Sequence, residues 1–517
     1  MAVNVAAAGA ATITSFGNGS ALSIDGVALD ASFDTINGVV SVLSSNSMVR
    51  VANSTGTLSI GGGTIIVSGA RQAFDLSGNN MTFSAGNVVE SFGATGFLLN
   101  MTGNTGGTYT FSGPFNDSDS GDNDAGGLFF SGNTGGTTQF NNNVEIRTTN
   151  APGLDINNNA AHAIRFAGTE TLIETDGILT VEITGGATVS FDSTTVNQIT
   201  NDSGRGVVIN GGGVVTLTGG IDVQTSSGGA ALQMTGVTVG AGGIALGNVS
   251  SSLSTFGIQI SNVTGGDITI AGGAITGISG GGIGVDLDAL GSNFSYGGTI
   301  TNPANTRSVQ VTNSGGTSAN TITFSGAISD SGTGIFLDNN DQNAGATINL
   351  TGGVTLNTGG ISAFRAFNGG TVNVTGTNNT ATSTTGTTVR IENTTIGGSG
   401  VTFQSVSANG AANGIVLSNT GAGAFTVTGI GSTAGSGGTI QNTTGAGLLL
   451  SNAQNVSISN LNIRDTGSHG IQGITVTNLD LTNVTIDDAG NAVNEHGINI
   501  QNLLGTVSGA LTVCSLG

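Results

Sequence analysis

The sequence has 517 residues, of which 92 are glycine and 37% are hydrophobic, a share too high for a disordered chain. Its nine basic residues, all arginine, stand against 30 acidic ones, so the net charge is -21. This charge makes a nucleic-acid partner unfavourable, because such a partner needs a basic stripe to displace its counterions, and it disfavours anionic membrane surfaces too.

No targeting segment or membrane span is recognisable in the sequence. The first residues, MAVNVAAAGAATITSF, lack the basic segment and the unbroken apolar segment of a signal peptide. No run of 18 apolar residues occurs, so no membrane-spanning helix is predicted. The single cysteine, Cys514, cannot form an internal disulfide. If the protein is exported, we expect this chain to be a fragment of a longer one.

A six-residue motif recurs along the chain: glycine, apolar, any residue, apolar, small polar, asparagine. The spacings between the starts of its copies are 104, 77, 80, 33 and 50, and four of these five lie close to multiples of about 26 residues. The two apolar positions alternate, as in a strand with one buried face. In chain order the copies are GLDINN (153–158), GIQISN (257–262), GIFLDN (334–339), GIVLSN (414–419), GLLLSN (447–452) and GINIQN (497–502).

Further strand-like runs lie between the copies, among them TYTFSG (108–113) and TITFSG (321–326). Two or three short strands per period, without helical periodicity, predict an all-β parallel β-helix in which each coil stacks on the next. We expect one continuous β-helix of about 20 coils over residues 1–517, with an acidic loop inserted at 114–126.

The last residue of each motif copy is predicted to form the corner after its strand. Asparagine tolerates the left-handed backbone conformation that a sharp corner needs. On successive coils the asparagine amides should hydrogen-bond along a column, as in other stacked β structures. The predicted corner residues are Asn158, Asn262, Asn339, Asn419, Asn452 and Asn502.

Two stretches near the C-terminal end resemble a known class of proteins. NVSISNLNIRDTGSHGI (455–471) and NLDLTNVTI (478–486), followed by GINIQN, look like the right-handed parallel β-helix repeats of the pectin-lyase-like fold. The remainder, rich in glycine, asparagine and threonine, is similar to bacterial β-strand-repeat surface proteins and autotransporter passengers. The resemblance implies a right-handed β-helix outside the cell or at its surface, and it carries no particular activity.

The most suggestive chemistry lies in the same region. Aligning the two neighbouring repeats at an offset of 23 places Arg464 over Asp487 and Asp465 over Asp488. Glycoside hydrolases need two carboxylates at a fixed distance, and general acid–base catalysis needs such groups close together. The three aspartates and the arginine are therefore a weak catalytic alternative. We favour the interpretation that they are ordinary solvent-exposed side chains on the outside of the solenoid.

Two histidines belong to the same weak catalytic alternative. His469 falls over His496 in the next repeat once a short insertion is allowed for. A divalent-ion site at this patch is the other alternative, and we place it before catalysis.

A second acidic cluster, NDSDSGDND (116–124), lies in the predicted loop. Acidic loops can supply the oxygens that calcium requires, but this spacing does not match an EF-hand. We therefore favour a solvated loop and expect no cofactor, with calcium as the alternative. The candidate metal ligands are Asp117, Asp119, Asp122 and Asp124.

Some outward positions of the repeat are apolar, which a fully solvated strand would not favour. These residues either pack under loops or form an apolar binding strip. They are Phe129, Phe336, Val416 and Leu449.

The sequence favours a non-enzymatic, adhesin-like solenoid at the cell surface or outside the cell, displaying loops for contact with host or neighbouring cells, surfaces or polysaccharide. The alternative is a polysaccharide lyase or glycoside hydrolase, which the lack of tryptophan and the two tyrosines disfavour, since carbohydrate clefts use aromatic platforms. The open edges of the end coils also predict end-to-end self-association.

Overall fold

A computed structural model describes residues 2–5, 12–17, 19–40, 47–69, 72–94, 96–117, 127–149, 151–159, 161–489 and 493–514. These residues form an all-β parallel β-solenoid of about 18 turns, without a helix, which confirms the predicted fold class. The turns are fewer than expected because insertions lengthen some of them. Ile415 pairs with Leu448 and Leu448 pairs with Ile471, so the first of these two turns is the longer one.

The chain divides into two compact units, and the prediction of one continuous domain over 1–517 stays a prediction. Unit 1 comprises Met1–Ser254 and Gly265–Ala271, and unit 2 comprises Thr255–Thr264 and Gly272–Gly517. The strands of unit 1 are β1 (Ala2–Val5), β2 (Thr12–Gly17), β3 (Leu22–Asp25), β4 (Ala28–Val40), β5 (Val49–Ala52), β6 (Thr55–Gly62), β7 (Thr64–Gly69), β8 (Phe74–Ser77), β9 (Asn80–Ala85), β10 (Val88–Ala94), β11 (Leu99–Thr102), β12 (Gly106–Phe111), β13 (Phe115–Asp117), β14 (Leu128–Ser131), β15 (Thr137–Phe140), β16 (Val144–Thr148), β17 (Leu154–Asn157), β18 (Ala163–Phe166), β19 (Glu170–Thr175), β20 (Leu179–Thr184), β21 (Ala187–Phe191), β22 (Val196–Asn201), β23 (Arg205–Asn210), β24 (Val214–Thr225), β25 (Leu232–Thr235) and β26 (Thr238–Ser252).

Each turn of unit 1 contributes strands to three parallel sheets. The first sheet stacks β3, β5, β8, β11, β14, β17, β20, β23 and β25. The second sheet runs from β1 through β4, β6, β9, β12, β15, β18, β21 and β24 to β26. The third sheet contains β2, β7, β10, β13, β16, β19 and β22 together with the far halves of β4, β24 and β26, which turn the corner between two sheets.

Unit 2 has the same three-sheet plan. Two short strands, β28 (Thr264–Gly265) and β29 (Ile268–Gly272), contain residues of both units. The strands of unit 2 are β27 (Phe256–Ser261), β30 (Ala274–Thr276), β31 (Ile283–Asp288), β32 (Phe294–Tyr296), β33 (Thr299–Asn302), β34 (Arg307–Thr312), β35 (Asn320–Phe324), β36 (Ile328–Asp330), β37 (Ile335–Asp338), β38 (Ala346–Leu350), β39 (Val354–Thr358), β40 (Phe364–Phe367), β41 (Thr371–Val374), β42 (Thr380–Ser383), β43 (Val389–Glu392), β44 (Thr395–Phe403), β45 (Ser405–Asn409), β46 (Ile415–Ser418), β47 (Phe425–Val427), β48 (Thr439–Gln441), β49 (Leu448–Ser459), β50 (Asn462–Thr466), β51 (Ile471–Ala489) and β52 (Ile498–Cys514).

The first sheet of unit 2 positions the site described below. It stacks β27, β31, β34, β37, β40, β43 and β46 in register and continues into the first parts of β49, β51 and β52. The long strands β51 and β52 then turn two corners and pass through all three sheets.

The core of each unit lies inside the coils, because alternate side chains of most of the described strands are buried. The motif predicted this face correctly: Leu154 and Ile156 are fully buried, while Asp155 between them faces outward. In unit 1, the pairing of successive strands places phenylalanine residues directly above one another. The stacked column is Phe111, Phe140, Phe166 and Phe191, with ring centroids 5.2, 5.0 and 5.1 Å apart, close to the spacing of neighbouring strands.

The predicted asparagine corners are confirmed. All six predicted residues have φ between 47° and 57°, in the left-handed region. Their amides bond along a column where turns are adjacent. Asn419 Nδ2 donates to Asn393 Oδ1 at 2.7 Å, and Asn452 Nδ2 donates to Asn419 Oδ1 at 3.1 Å.

A second asparagine column, which the sequence reasoning missed, is buried inside unit 1. The backbone N–H of each residue donates to the side-chain oxygen of the next, at 2.9 Å for Asn79 to Asn104, 2.9 Å for Asn104 to Asn133 and 3.0 Å for Asn133 to Asn159. Each amide nitrogen also donates to a backbone carbonyl of an earlier turn, for instance Asn104 Nδ2 to Leu76 O at 2.9 Å. The column therefore supplies acceptors to the buried backbone N–H groups of Asn79, Asn104 and Asn133.

Candidate functional site

The C-terminal aspartates and arginine lie in the register that the sequence predicts. Arg464 pairs with Asp487 on the neighbouring strand, and the pairs on either side place Asp465 next to Asp488. Both of these aspartates occupy a left-handed corner, with φ of 50° and 46°. The aspartates therefore serve as corner residues, in the role that asparagine has elsewhere in the chain.

In this patch, the charged side chains of Arg464 and Asp465 are exposed, and the ion pair between them is long. The Arg464 guanidinium donates to Gln441 Oε1, at 2.8 Å from Nε, and lies 4.0 Å from the Asp465 carboxylate. The side chains of Arg464 and Asp465 are 51% and 48% exposed, so the ion pair contributes under about 1 kcal/mol. Over the described ranges, no group of three or more His, Cys, Asp or Glu side chains is arranged to hold a metal ion.

The two histidines of the patch do come together. The rings of His469 and His496 stack with centroids 5.5 Å apart and an angle of 18°. His469 is buried, and its Nδ1 accepts the backbone N–H of His496 at 2.9 Å. Its Nε2 lies 3.0 Å from Nδ2 of Asn499. The hydrogen bond from the His496 N–H to His469 Nδ1 thus links neighbouring turns at this corner.

Only one of the four candidate metal ligands in the acidic loop lies within the described residues. Asp119, Asp122 and Asp124 lie outside the described residues. Asp117 ends β13 as a buried residue, and its carboxylate accepts the backbone N–H of Arg147 at 3.4 Å.

A different group of side chains stands out on the outer face of the first sheet of unit 2. The ring of Phe336 lies between two guanidinium groups, with Arg307 Cζ 5.1 Å and Arg365 Cζ 4.5 Å from its centroid. Arg390 Cζ lies 5.0 Å from the centroid of Phe367, whose ring meets that of Phe336 edge-on at 6.3 Å. We call these five residues, which span four consecutive strands from β34 to β43, the Arg–Phe strip.

The three arginines of the strip are held differently. Arg390 pairs with Glu392 at 2.8 Å, and Arg307 donates to Gln310 Oε1. Within the described part of the chain, the Arg365 guanidinium makes no hydrogen bond or ion pair, and its Nε is buried without a partner. Its protein contact is the Phe336 ring, an interaction worth about 0.5–2 kcal/mol.

The electrostatic environment of Arg365 is unfavourable for its positive charge. Burial lowers the pKa of Arg365, and the positive charges of Arg307 and Arg390 lower it further, while Asp338 opposes them. The Asp338 carboxylate also accepts the Asn368 amide at 2.9 Å. An anion placed against Arg365 would therefore relieve a repulsion that Asp338 only partly compensates.

The sequence pointed to this surface only in part. Phe336 was one of the predicted outward apolar positions, and the same column continues through Arg365 and Arg390 to Val416 and Leu449. Phe129 was another, and it stacks on Phe97 at 4.7 Å in unit 1. The arginines were missed because Arg307 lies outside this column and because the turns that align Phe336, Arg365 and Arg390 differ in length.

Comparison with known proteins adds no family to this description. No protein-family model matches the chain, and neither curated proteins nor solved structures gave a match. Among the residues described above, no helix has the length and apolarity needed to cross a bilayer.

Proposed function

We propose that this protein is a non-enzymatic, adhesin-like β-solenoid that acts at the cell surface or outside the cell and binds other cells, surfaces or polysaccharide. The observation that carries the proposal is the Arg–Phe strip, an ordered row of rings and guanidinium groups on an outer sheet face. Aromatic residues and arginine are the side chains most enriched in binding surfaces. A face of parallel strands is also rigid, so such a surface loses little conformational entropy when it binds.

The proposed location is supported by the resemblance to bacterial β-strand-repeat surface proteins, autotransporter passengers and pectin-lyase-like repeats. The net charge of -21 suits a surface that stays soluble, and it remains unfavourable for a nucleic-acid partner.

The proposal is tested by measuring binding of labelled protein to whole cells and to a panel of immobilised neutral and acidic polysaccharides. We expect saturable binding to at least one surface and no release of reducing ends or unsaturated products. Absence of binding to every surface, or turnover of any polysaccharide, would contradict the proposal.

A second candidate is a polysaccharide lyase or glycoside hydrolase. It is favoured by the register that stacks Asp465 on Asp488 beside Arg464 and Asp487. If the protein were such an enzyme, Asp487→Asn and Asp488→Asn should abolish the cleavage of polysaccharide. Arg365→Gln should leave this cleavage unchanged.

A further inference from the structure

We infer that the Arg–Phe strip is the binding site for an acidic polysaccharide, a linear sugar polymer that carries carboxylate or sulfate groups. This inference rests on the proposed function, and it adds the class of ligand and the residues that recognise it.

The first argument compares Arg365 with the other arginines of the protein. Arg71 lies outside the described residues. Five of the remaining eight have a carboxylate oxygen within 4.0 Å, and Arg205 and Arg307 each donate to a glutamine. Arg365 alone among the described arginines has neither kind of partner. Its Nη donors therefore have no protein partner within the described residues, whereas its Nε is buried.

The second argument concerns geometry. A guanidinium stacked on an aromatic ring keeps its N–H groups in its own plane, where they can bind a carboxylate or sulfate in a forked arrangement. Phe336 holds Arg365 in such a stack at 4.5 Å, and Arg307 lies against the same ring. The ring thus limits the motion of both side chains and lowers the entropy lost on binding.

The third argument concerns the form of the ligand. Arg365 and Arg390 occupy the same position on neighbouring strands, about 4.8 Å apart along the backbone. Val416, which is buried, and Leu449, which is half-buried, follow on the next two strands. A linear polymer laid across the strands would meet cationic groups first and then the apolar side chain of Leu449. Sugar chains offer that combination, with sparse anionic groups joined by rings that have apolar C–H faces.

The fourth argument excludes a densely charged partner. Duplex DNA carries one negative charge per about 1.7 Å, whereas the strip has three cations, with Asp338 and Glu392 close by. Asp286 and Asp330 lie near Arg307 as well. Carboxylates farther away than about 8 Å are screened at physiological salt. The strip therefore suits a polymer with widely spaced anionic groups.

The experiment measures binding of the full chain to immobilised polygalacturonate, dextran sulfate, unmodified dextran and duplex DNA at several salt concentrations. We expect retention on one or both acidic polysaccharides, weakening as salt rises, and none on dextran. Arg365→Gln should weaken binding about tenfold, because it removes a charged partner of the anion. Arg365→Lys keeps the charge but loses the forked donor arrangement, so its affinity should lie between those of the wild type and Arg365→Gln.

Arg205→Gln is the matched control. It removes one positive charge from the first sheet of unit 1, so its net charge equals that of Arg365→Gln, and its binding should stay within about twofold of the wild type. Arg390→Gln is a second test variant, should Arg365→Gln fail to fold, and it should weaken binding severalfold. Unchanged binding in both strip variants, equal retention on dextran, or tighter binding to DNA would overturn the inference. Binding of dextran or cells that does not depend on Arg365 would overturn it while leaving the proposed function intact.

Discussion

The rings of Phe140 and Phe166 lie parallel inside unit 1, with centroids 5.0 Å apart and an angle of 6°. Phe166 is fully buried and also stacks on Phe191, so its removal opens a cavity between two rings. We expect Phe166→Ala to lower the free energy of unfolding by about 3–5 kcal/mol in a denaturant titration. Phe92→Ala in the same unit, where the ring is 51% exposed, should change it by less than about 0.5 kcal/mol. Equal effects in the two variants would show that the ring column does not stabilise the unit.

The buried asparagine column should also contribute to stability. Asn104→Leu removes the donor to Leu76 O and the acceptor of the Asn79 N–H, which belongs to a buried residue. A buried N–H that loses its partner costs about 1–3 kcal/mol. We expect a loss of about 1–3 kcal/mol in the same titration, against almost none for the exposed Asn141→Leu.

Asp155 should make unit 1 less stable at neutral pH than in mild acid. Burial, together with the neighbouring Glu182 carboxylate, raises the pKa of Asp155 from 3.8 to about 6. The stability from this group is complete below pH 3.8 and is lost as the pH rises through about 6. The melting temperature of Asp155→Asn, relative to that of the wild type, should therefore rise as the pH increases from 4 to 7.

Asp192 supplies the opposite case as a control. Hydrogen bonds from Ser190 and Arg165 lower the pKa of Asp192, so its stability is present above pH 3.8 and is lost as the pH falls below that value. Asp192→Asn should lose melting temperature at pH 7, and this loss should shrink in acid. The same pH trend in both variants would contradict the assignments.

His162 should make unit 1 sensitive to acid. The ring is buried, bonds to Gly135 O at 2.9 Å and lies 2.8 Å from the Thr138 hydroxyl. Burial lowers the pKa of His162 below 6.5, against the hydrogen bond to Gly135, so stability is complete above pH 6.5 and falls as the pH drops further. His162→Gln should reduce the decline in melting temperature between pH 7 and 5, and an unchanged decline would refute this role.

Strand β52 offers an edge for self-association of this 517-residue chain. Among the described strands it pairs with β51, and five of its apolar side chains are 40–54% exposed, including Val507 at 54%. We expect concentration-dependent association in light scattering, as for other open strand edges, and Val507→Lys should reduce it. Ile178→Lys in unit 1, where the side chain is 79% exposed, is the control that should not. A monodisperse wild-type monomer at high concentration would contradict the prediction.

The fold was predictable because its repeating unit is local. The apolar pair of Leu154 and Ile156 and the corner at Asn158 lie within one copy of the motif, so the period of two and the left-handed corner can be read directly. The buried asparagine column also had a signal. Asn79, Asn104, Asn133 and Asn159 each follow the left-handed corner residue by one position, yet asparagine is so frequent here that the pattern was hidden.

The candidate site was less predictable because it depends on register between turns of different length. The register of Arg464 with Asp487 was found since no insertion interrupts those two repeats. The turn that leads from Phe336 to Arg365 includes extra loop residues, so the two appear unrelated in sequence. Which guanidinium lacks a carboxylate is decided only by the positions of the side chains.

The buried asparagine column also bears on how such a chain can change its length. Asn79 donates its backbone N–H to the side-chain oxygen of Asn104, just as Asn104 donates its backbone N–H to the side-chain oxygen of Asn133. Excising or duplicating the segment from one such asparagine to the next would leave every amide with a substitute in the same place. Growth and shortening by whole coils is thus a small evolutionary step for this architecture, whereas a gain or loss of a few residues within a strand must be absorbed by a bulge or a loop.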